Sequence, residues 1–189
     1  MLIRPINESD NKHISVILRE VLIEMDIPRI GSAYEDPEIN NMYESYQSNR
    51  SIYFVVEENN KILGGAGINQ LKNGDVNICE LQKMYFHKSL RGRGIGDKMI
   101  ELCLDFAVES NYKKCYIETM PNMVNAQKLY IKKGFEYIDN PLGYTGHTAC
   151  PVWMLKNLVW TLLRWEVFIE IIWVFQMIRQ ILYIKLFWR

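Results

Sequence analysis

Neither an excess of charge nor a metal-binding cysteine pattern is present in this sequence of 189 residues. Lysine plus arginine and aspartate plus glutamate each number 22, so the formal net charge is zero. Because attraction to a phosphate backbone normally needs a basic surplus, this balance argues against a dedicated nucleic-acid-binding protein, although not against a local basic patch. The four cysteines form no C-x-x-C pair, and their spacing fits no familiar zinc site. We therefore expect free buried thiols and no metal.

Long apolar runs are also missing where a targeting or spanning segment would need one. The first ten residues have no signal-peptide core. In the C-terminal region the longest charge-free run, Ile171–Ile178, has eight residues, against about 20 for a membrane span. The reducing cytoplasm is therefore the expected location.

Composition changes sharply at residue 159. Residues 159–189 contain 22 apolar residues out of 31 and carry a net charge of +2, whereas residues 1–158 carry −2. An exposed segment this apolar would aggregate, yet its scattered polar residues leave no clean apolar face. We hypothesise a helical C-terminal extension that contacts either a second copy of the chain, as a homodimer, or a membrane. A terminal sequence atypical of the domain is the third interpretation.

Residues 1–158 alternate between strand and helix patterns, which predicts an α/β domain. Predicted strands cover residues 2–6, 51–57, 62–71, 78–87, 114–119, 135–138 and 152–155. Apolar spacing of three to four residues predicts helices ending before Pro28, at 38–46, after Gly96 and at 125–133, with a loop at 31–37. The helix after Gly96 is expected to bury Met99, Leu102, Cys103, Phe106 and Ala107.

A glycine-rich loop between a strand and a helix is the most informative segment. Three glycines stand in five positions, so several backbone N–H groups can point into one concavity at the helix N-terminus, where the helix dipole is positive. That arrangement suits a pyrophosphate, and two arginines add positive charge. The loop is Arg91, Gly92, Arg93, Gly94, Ile95 and Gly96. A plain glycine-rich turn with solvated arginines is the alternative.

Two familiar phosphate-binding motifs are excluded by spacing. The loop lacks the Lys-Ser/Thr ending of a P-loop, and Asp97 stands where a dinucleotide-binding loop would have its last glycine. The hairpins that precede the loop also differ from a dinucleotide-binding βαβ unit.

Residues 2–158 resemble the GNAT superfamily of acyl-CoA-dependent N-acetyltransferases. The family pattern Gln/Arg-x-x-Gly-x-Gly/Ala is met by Arg91, Gly94 and Gly96. A second family pattern, Asn-x-x-Ala-x-x-x-Tyr-x-x-x-Gly-Phe, is similar to residues 125–135, although the alanine stands two places earlier than in some members. Residues 80–86 look like the family's fourth strand.

The resemblance implies a mixed, mostly antiparallel sheet with flanking helices, in which the fourth and fifth strands splay apart at a bulge. The pantetheine arm of acetyl-CoA is then expected to pair with the backbone of Met84, Tyr85 and Phe86. Its pyrophosphate is expected on the N–H groups of residues 91–96, with Asn125 hydrogen-bonded to the pantetheine arm.

The implied reaction is direct transfer of acetyl from acetyl-CoA to a primary amine of a small molecule or peptide. Such an amine must first lose a proton, and Glu80 and Glu118 are the candidate bases, each with a simple ion-paired carboxylate as the alternative. Tyr130 aligns with the family's tyrosine that protonates the leaving thiolate. Residues expected to line the acceptor site are Tyr34, Glu35 and His147. A binding module that senses acyl-CoA with little catalysis is the alternative function.

Overall fold

A mixed β-sheet lies at the centre of the computed structural model, which describes residues 1–158. The predicted helix at 159–189, with its homodimer or membrane contact, lies outside the described residues. The strands are β1 (Leu2–Pro5), β2 (Ile52–Glu58), β3 (Lys61–Gln70), β4 (Ile78–Phe86), β5 (Lys114–Thr119), β6 (Glu136–Ile138) and β7 (Val152–Asn157). The α-helices are α1 (Asn11–Glu24), α2 (Met42–Ser45), α3 (Ile95–Glu109) and α4 (Val124–Lys132).

The sheet has the order β1-β2-β3-β4-β5-β7-β6, and every neighbouring pair is antiparallel except β4 and β5. Successive strand residues point to opposite faces, so Val55 and Val56 enter two separate apolar clusters. One cluster is covered by α1 and the other by α3. The prediction of an α/β fold with a mostly antiparallel mixed sheet is confirmed.

The strands β4 and β5 separate after a short stretch of pairing. They are joined only between Ile78–Glu80 and Lys114–Tyr116, whereas β4 continues to Phe86. Among residues 1–158, the edge of β4 that faces β5 therefore has no strand partner beyond Glu80. This opening is the predicted splay.

A bulge in β4 accompanies the opening. The register with β3 shifts between Gly65 and Gly67, and Lys83 opposite this shift has a left-handed φ of 50°. The Tyr53 hydroxyl donates to the Lys83 carbonyl at 2.9 Å. A Cβ on Gly65 or Gly67 would lie 2.5 or 2.6 Å from the Tyr53 ring. These glycines therefore let the tyrosine that supports the bulge lie flat against β3.

The helices depart from the sequence predictions in two places. The helix predicted at 38–46 is divided into a single turn, Pro37–Asn40, and α2, because Asn41 leaves the helical region (φ −134°, ψ 51°). On α3, Leu102 is 38% exposed, and Ile95 and Ile100 are buried instead. Leu102 stands at the border of the apolar stripe, so the prediction that it belongs to the core was wrong. Within residues 1–158, no helix is both long and apolar enough to cross a membrane.

Candidate active site

The glycine loop has the geometry of an anion cradle. Gly92 and Gly94 have left-handed φ angles of 72° and 75°, where a side chain would be strained. The first hydrogen bond of α3 runs from the Lys98 N–H to the Gly94 carbonyl at 3.3 Å. The N–H groups from Gly94 to Asp97 precede that bond and have no partner within the helix. Together with the helix dipole they provide several donors for one anion.

A cavity of about 580 Å³, the glycine-loop cavity, extends from this loop along the open half of β4 to α4. Most residues that the sequence predicted for acetyl-CoA line it: Met84, Tyr85, Phe86, Arg91, Gly92, Gly94, Ile95, Gly96 and Asn125. Tyr130, predicted as the proton donor, lines it too. Val21 of α1 and Met25, which follows the last residue of α1, also line it and were not predicted from the sequence. Their apolar spacing is that of an ordinary core face, so nothing in the sequence marks them as lining residues.

The three glycines of the loop differ in how much space surrounds the position of a Cβ atom. A Cβ on Gly92 or Gly94 would meet nothing within 4 Å, so these positions face free space. A Cβ on Gly96 would lie 2.9 Å from Leu129 Cδ2 and 3.3 Å from Met84 Cε. Gly96 thus allows α3 to begin close against α4, whereas Gly92 and Gly94 leave room for a ligand at the N–H groups. The cradle and the unpaired strand edge fit the phosphates and the pantetheine arm of acetyl-CoA.

Both arginines of the loop already have carboxylate partners. Arg91 Nη2 lies 2.7 Å from Glu24 Oε2, and Arg93 Nη2 lies 2.7 Å from Glu58 Oε1. Arg93 is absent from the residues that line the glycine-loop cavity, so the structure does not bring it to the predicted site. The Arg91–Glu24 pair is solvent-accessible, and such pairs contribute little to stability, so a bound phosphate can replace the carboxylate.

A second cavity of about 550 Å³, the polar cavity, lies beside the first half of β4. Of the three residues predicted to contact the acceptor, His147 lines this cavity, whereas Tyr34 and Glu35 do not. The turn Ala33–Glu35 places Glu35 in solvent and stacks the Tyr34 ring 5.0 Å from the Arg29 guanidinium. The structure therefore does not bring Tyr34 and Glu35 to this cavity. The next residue, Asp36, does reach the cavity.

A connecting cavity of about 40 Å³ has residues in common with both. Met84 and Tyr130 also line the glycine-loop cavity, while Glu80 and His147 also line the polar cavity. The two larger cavities therefore approach each other at this point, with a carboxylate on one side and a phenol on the other.

Glu80 is a buried carboxylate with an oriented partner. It is 3% exposed, and its Oε2 accepts a 2.7 Å hydrogen bond from Gln82 Nε2. The Tyr46 hydroxyl donates to Gln82 Oε1 at 2.9 Å, which fixes the amide with its NH₂ toward Glu80. Burial raises the pKa of Glu80 to about 6, although the Gln82 hydrogen bond and the His147 charge oppose that rise.

Glu118 has both carboxylate oxygens engaged. Its Oε1 accepts from the Tyr116 hydroxyl at 2.8 Å, and its Oε2 accepts from the Thr145 hydroxyl at 2.6 Å. His147 Nδ1 lies 3.6 Å from the same Oε2. Glu118 is thus held by the residues around it, while Glu80 accepts from Gln82 at one oxygen.

Asp36 joins two cations at the wall of the polar cavity. Its Oδ2 lies 2.8 Å from Lys83 Nζ and 3.0 Å from His147 Nε2. Burial alone would raise the pKa of Asp36, but the His147 hydrogen bond and the Lys83 charge outweigh it and lower the pKa to about 2. Burial would lower the pKa of His147, but its hydrogen bonds with Asp36 and Glu118 raise it to about 9. His147 is therefore protonated at neutral pH.

Glu80, Glu118 and His147 also bring one potential metal ligand each within 4.8 Å of one another. The contacts of His147 with Asp36 and Glu118 and that of Glu80 with Gln82 account for this cluster as an ion-pair network. Cys150 lines the same connecting cavity, and burial raises the pKa of its thiol to about 12, so it remains a thiol.

Tyr130 is buried on α4 at the junction of the glycine-loop and connecting cavities. It is 6% exposed, and its ring meets Phe135 edge-on with centroids 6.0 Å apart. Burial holds the pKa of the phenol well above its ordinary value, so the hydroxyl keeps its proton. Gly134, with a left-handed φ of 81°, ends the helix and turns the chain so that Phe135 packs on the tyrosine.

Comparisons with known proteins agree on one family. Residues 19–135 match the model of the acetyltransferase (GNAT) family. The chain is 37% identical over 158 residues to the uncharacterized N-acetyltransferase YjgM of Escherichia coli K12, covering 83% of this chain and 95% of that protein.

Solved structures share the fold. An acetyltransferase of the GNAT family from Staphylococcus aureus Mu50 superposes with a TM-score of 0.74 at 23% identity, covering 84% of this chain and 99% of the other. The putative acetyltransferase yncA of Salmonella typhimurium, solved with its cofactor acetyl-CoA, has a TM-score of 0.67 at 20% identity and covers 84% and 94%.

Proposed function

The chain belongs to the GNAT acetyltransferase family, and on that premise we propose that it is an N-acetyltransferase that moves acetyl from acetyl-CoA to a primary amine of a small molecule or peptide. One observation carries the proposal. The buried carboxylate of Glu80 and the buried phenol of Tyr130 both line the small cavity that connects the glycine-loop cavity with the polar cavity. An acid and a base at the junction of two binding cavities suit a transfer between two substrates.

The glycine-loop cavity would hold the donor. The N–H groups at the start of α3 would bind the pyrophosphate, and the open edge of β4 at Met84, Tyr85 and Phe86 would pair with the pantetheine arm. Asn125 lines the same cavity and would hydrogen-bond that arm. Acetyl-CoA bound there supplies a thioester whose carbonyl carbon an amine can attack.

Glu80 would act as the general base. An ammonium ion has no lone pair, so the acceptor must lose a proton before it attacks. With a pKa of about 6, Glu80 is ionised at neutral pH and is a stronger base than a solvent-exposed glutamate. Glu118 is held by Tyr116 and Thr145, and its role would be to position His147 rather than to accept the proton.

Tyr130 would donate a proton to the departing sulfur. Its pKa is raised, so the hydroxyl is protonated until the thiolate forms beside it. A backbone N–H of β4 beyond Glu80, on the edge without a strand partner, would donate to the carbonyl oxygen as negative charge develops there.

The proposal is tested by acetyl-CoA titration calorimetry followed by assays of CoA release with a panel of amines, on the full-length chain. We expect one-site binding that is lost in Gly94→Ala. Gly146→Ala is a matched control, because both glycines have left-handed φ angles and free space at Cβ, but Gly146 is outside the glycine-loop cavity. The control should therefore bind acetyl-CoA normally.

Two results would count against the proposal. Equal loss of binding in both glycine variants would show that backbone strain, rather than the cradle, accounts for the effect. Tight acetyl-CoA binding with no CoA release for any amine, unchanged by Glu80→Gln, would favour a binding module that senses acyl-CoA.

A further inference from the structure

Five charged side chains surround the inner end of the polar cavity, three of them carboxylates and two of them cations. Asp36 is paired with both Lys83 and His147, and His147 also faces Glu118, so two cations meet two carboxylates. Glu80 is the remaining carboxylate. Among residues 1–158 no lysine, arginine or histidine nitrogen forms an ion pair with it, although a His147 ring nitrogen lies within 4.8 Å of its carboxylate. Counted together with Glu118 of the connecting cavity, the inner wall therefore has one more carboxylate than cations, and Glu80 is the carboxylate beside which the acceptor nitrogen would react.

The rest of the lining is mostly neutral and hydrogen-bonding. Side-chain amides and hydroxyls line it, and they belong to Ser45, Tyr46, Asn69, Gln70, Asn73, Gln82 and Thr145. Leu71 and Pro37 are the apolar members, and Glu38 and Lys72 add one further charge of each sign. Several of these groups already bond within the protein, namely Tyr46 to Gln82, Gln82 to Glu80 and Thr145 to Glu118, and their remaining hydrogen-bonding capacity is open to a ligand. An acceptor without polar groups would displace water from these groups without replacing its hydrogen bonds, which costs binding energy.

From these observations we propose that the acceptor is a small hydroxylated primary amine with a single positive charge, of the amino-sugar or amino-alcohol class. The proposal rests on the proposed acetyltransferase function. The ammonium pairs with Glu80, and the hydroxyl groups bond to the amides of the polar cavity. A polyamine is disfavoured because the carboxylate of Asp36, which could bind a second ammonium group, is already neutralised by Lys83 and His147.

The experiment compares amines that share a carbon skeleton. Serinol is paired with isopropylamine, glucosamine with cyclohexylamine, and spermidine serves as the polycation. CoA release is measured with the full-length protein at one pH, and kcat/KM is corrected for the unprotonated fraction of each amine. We expect each hydroxylated amine to exceed its partner by at least about tenfold, because the site rejects analogues that lack a hydrogen-bonding group. Spermidine should be no better than isopropylamine.

A variant locates the preference in the cavity. Gln70 lines the polar cavity and is not part of the proposed catalytic machinery. Gln70→Leu should lower kcat/KM for serinol by roughly three- to tenfold more than for isopropylamine, the value of about one hydrogen bond. Gln47→Leu is the matched control, because Gln47 is exposed and lies outside the lining. Its ratio should not change.

The outcomes separate this inference from the function on which it rests. Equal or better turnover of isopropylamine, cyclohexylamine or spermidine would overturn the acceptor class and leave acetyl transfer supported. Absence of CoA release with every amine, despite acetyl-CoA binding, would overturn both. A normal preference in Gln70→Leu would show that the polar lining does not select the acceptor, and would also overturn the inference.

Discussion

The amide of Gln82 lies 2.7 Å from the carboxylate of Glu80 and is itself oriented by the hydroxyl of Tyr46. The three side chains come from α2's end and from β4, and they form one chain of hydrogen bonds that ends at the proposed base.

We expect Tyr46→Phe to lower kcat/KM by roughly two- to tenfold, since one hydrogen bond is worth about 1 kcal/mol. The acid limb of the pH profile should also move upward, because the carboxylate loses a fixed donor. Tyr34→Phe is the control, because Tyr34 lies outside the polar cavity. An equal effect of that substitution would contradict a role for the hydrogen-bond chain from Tyr46 to Glu80.

If Glu80 is the base, its pKa sets the pH dependence of kcat/KM. A base must be unprotonated, so kcat/KM should fall tenfold per pH unit below an apparent pKa of about 6. Glu80→Gln should lower kcat by at least about 100-fold and remove this acid limb, while the Kd for acetyl-CoA stays the same. A variant that retains the acid limb would show that another group is the base. The profile is measured with saturating acetyl-CoA from pH 5 to about pH 8.

Tyr130 is expected to matter in turnover rather than in binding. Tyr130→Phe keeps the ring packing on Phe135 but removes the proton donor, so kcat should fall by about 10- to 100-fold. Calorimetry should show an unchanged Kd for acetyl-CoA. Tyr137→Phe removes a hydroxyl from an exposed position of β6 and is the control. Unchanged kcat in Tyr130→Phe would refute its role as the acid.

The Arg91–Glu24 pair predicts a competition between carboxylate and phosphate. Because Glu24 neutralises an arginine at the glycine-loop cavity, Glu24→Gln should strengthen acetyl-CoA binding a few-fold at low ionic strength. The gain should shrink at about 1 M salt, where exposed charges are screened. Glu20→Gln, also exposed on α1, should change little. Weaker binding in Glu24→Gln would mean that the carboxylate orients the arginine instead of competing.

His147 couples folding stability to pH. Its pKa is raised from 6.5 to about 9, so its contribution is complete below pH 6.5 and is lost as the pH rises through 9. The free energy of unfolding, measured in urea, should therefore decrease between about pH 7 and pH 9. His147→Gln should be less stable at pH 7 and should lose most of this decrease. An identical slope in both proteins would assign the dependence to other groups.

The donor side of the site was readable in the sequence because it is local. The cradle is formed by consecutive residues, Arg91 to Gly96, and by the helix that follows them, so a short motif contains its geometry. Even there, the ion pairs of the two arginines with Glu24 and Glu58 were not foreseen, since they join positions more than 30 residues apart.

The acceptor side was harder because it is assembled from distant segments. Tyr34 and Glu35 were predicted to line it, but the direction of one 3-10 turn selects Asp36 instead. Lys83 reaches the polar cavity together with Gln82, its neighbour in the chain, through the bulge, which the two-residue alternation of a strand does not reveal. Only the tertiary structure shows that Asp36 is already neutralised by Lys83 and His147.

The proposed base and the residues that would pair with the pantetheine arm lie on β4, whereas the residues that line the acceptor side come largely from turns and loops. Glu80 and Met84 belong to one strand. The spacing between the proposed base and the glycine-loop cavity is therefore set by the covalent chain and not by loop packing. The acceptor wall is supplied instead by the turns around Asp36 and by the loop that carries Thr145 and His147. An enzyme built in this way can acquire a new acceptor by exchanging those surface segments, and a designer could do the same while leaving the chemistry of the strand intact.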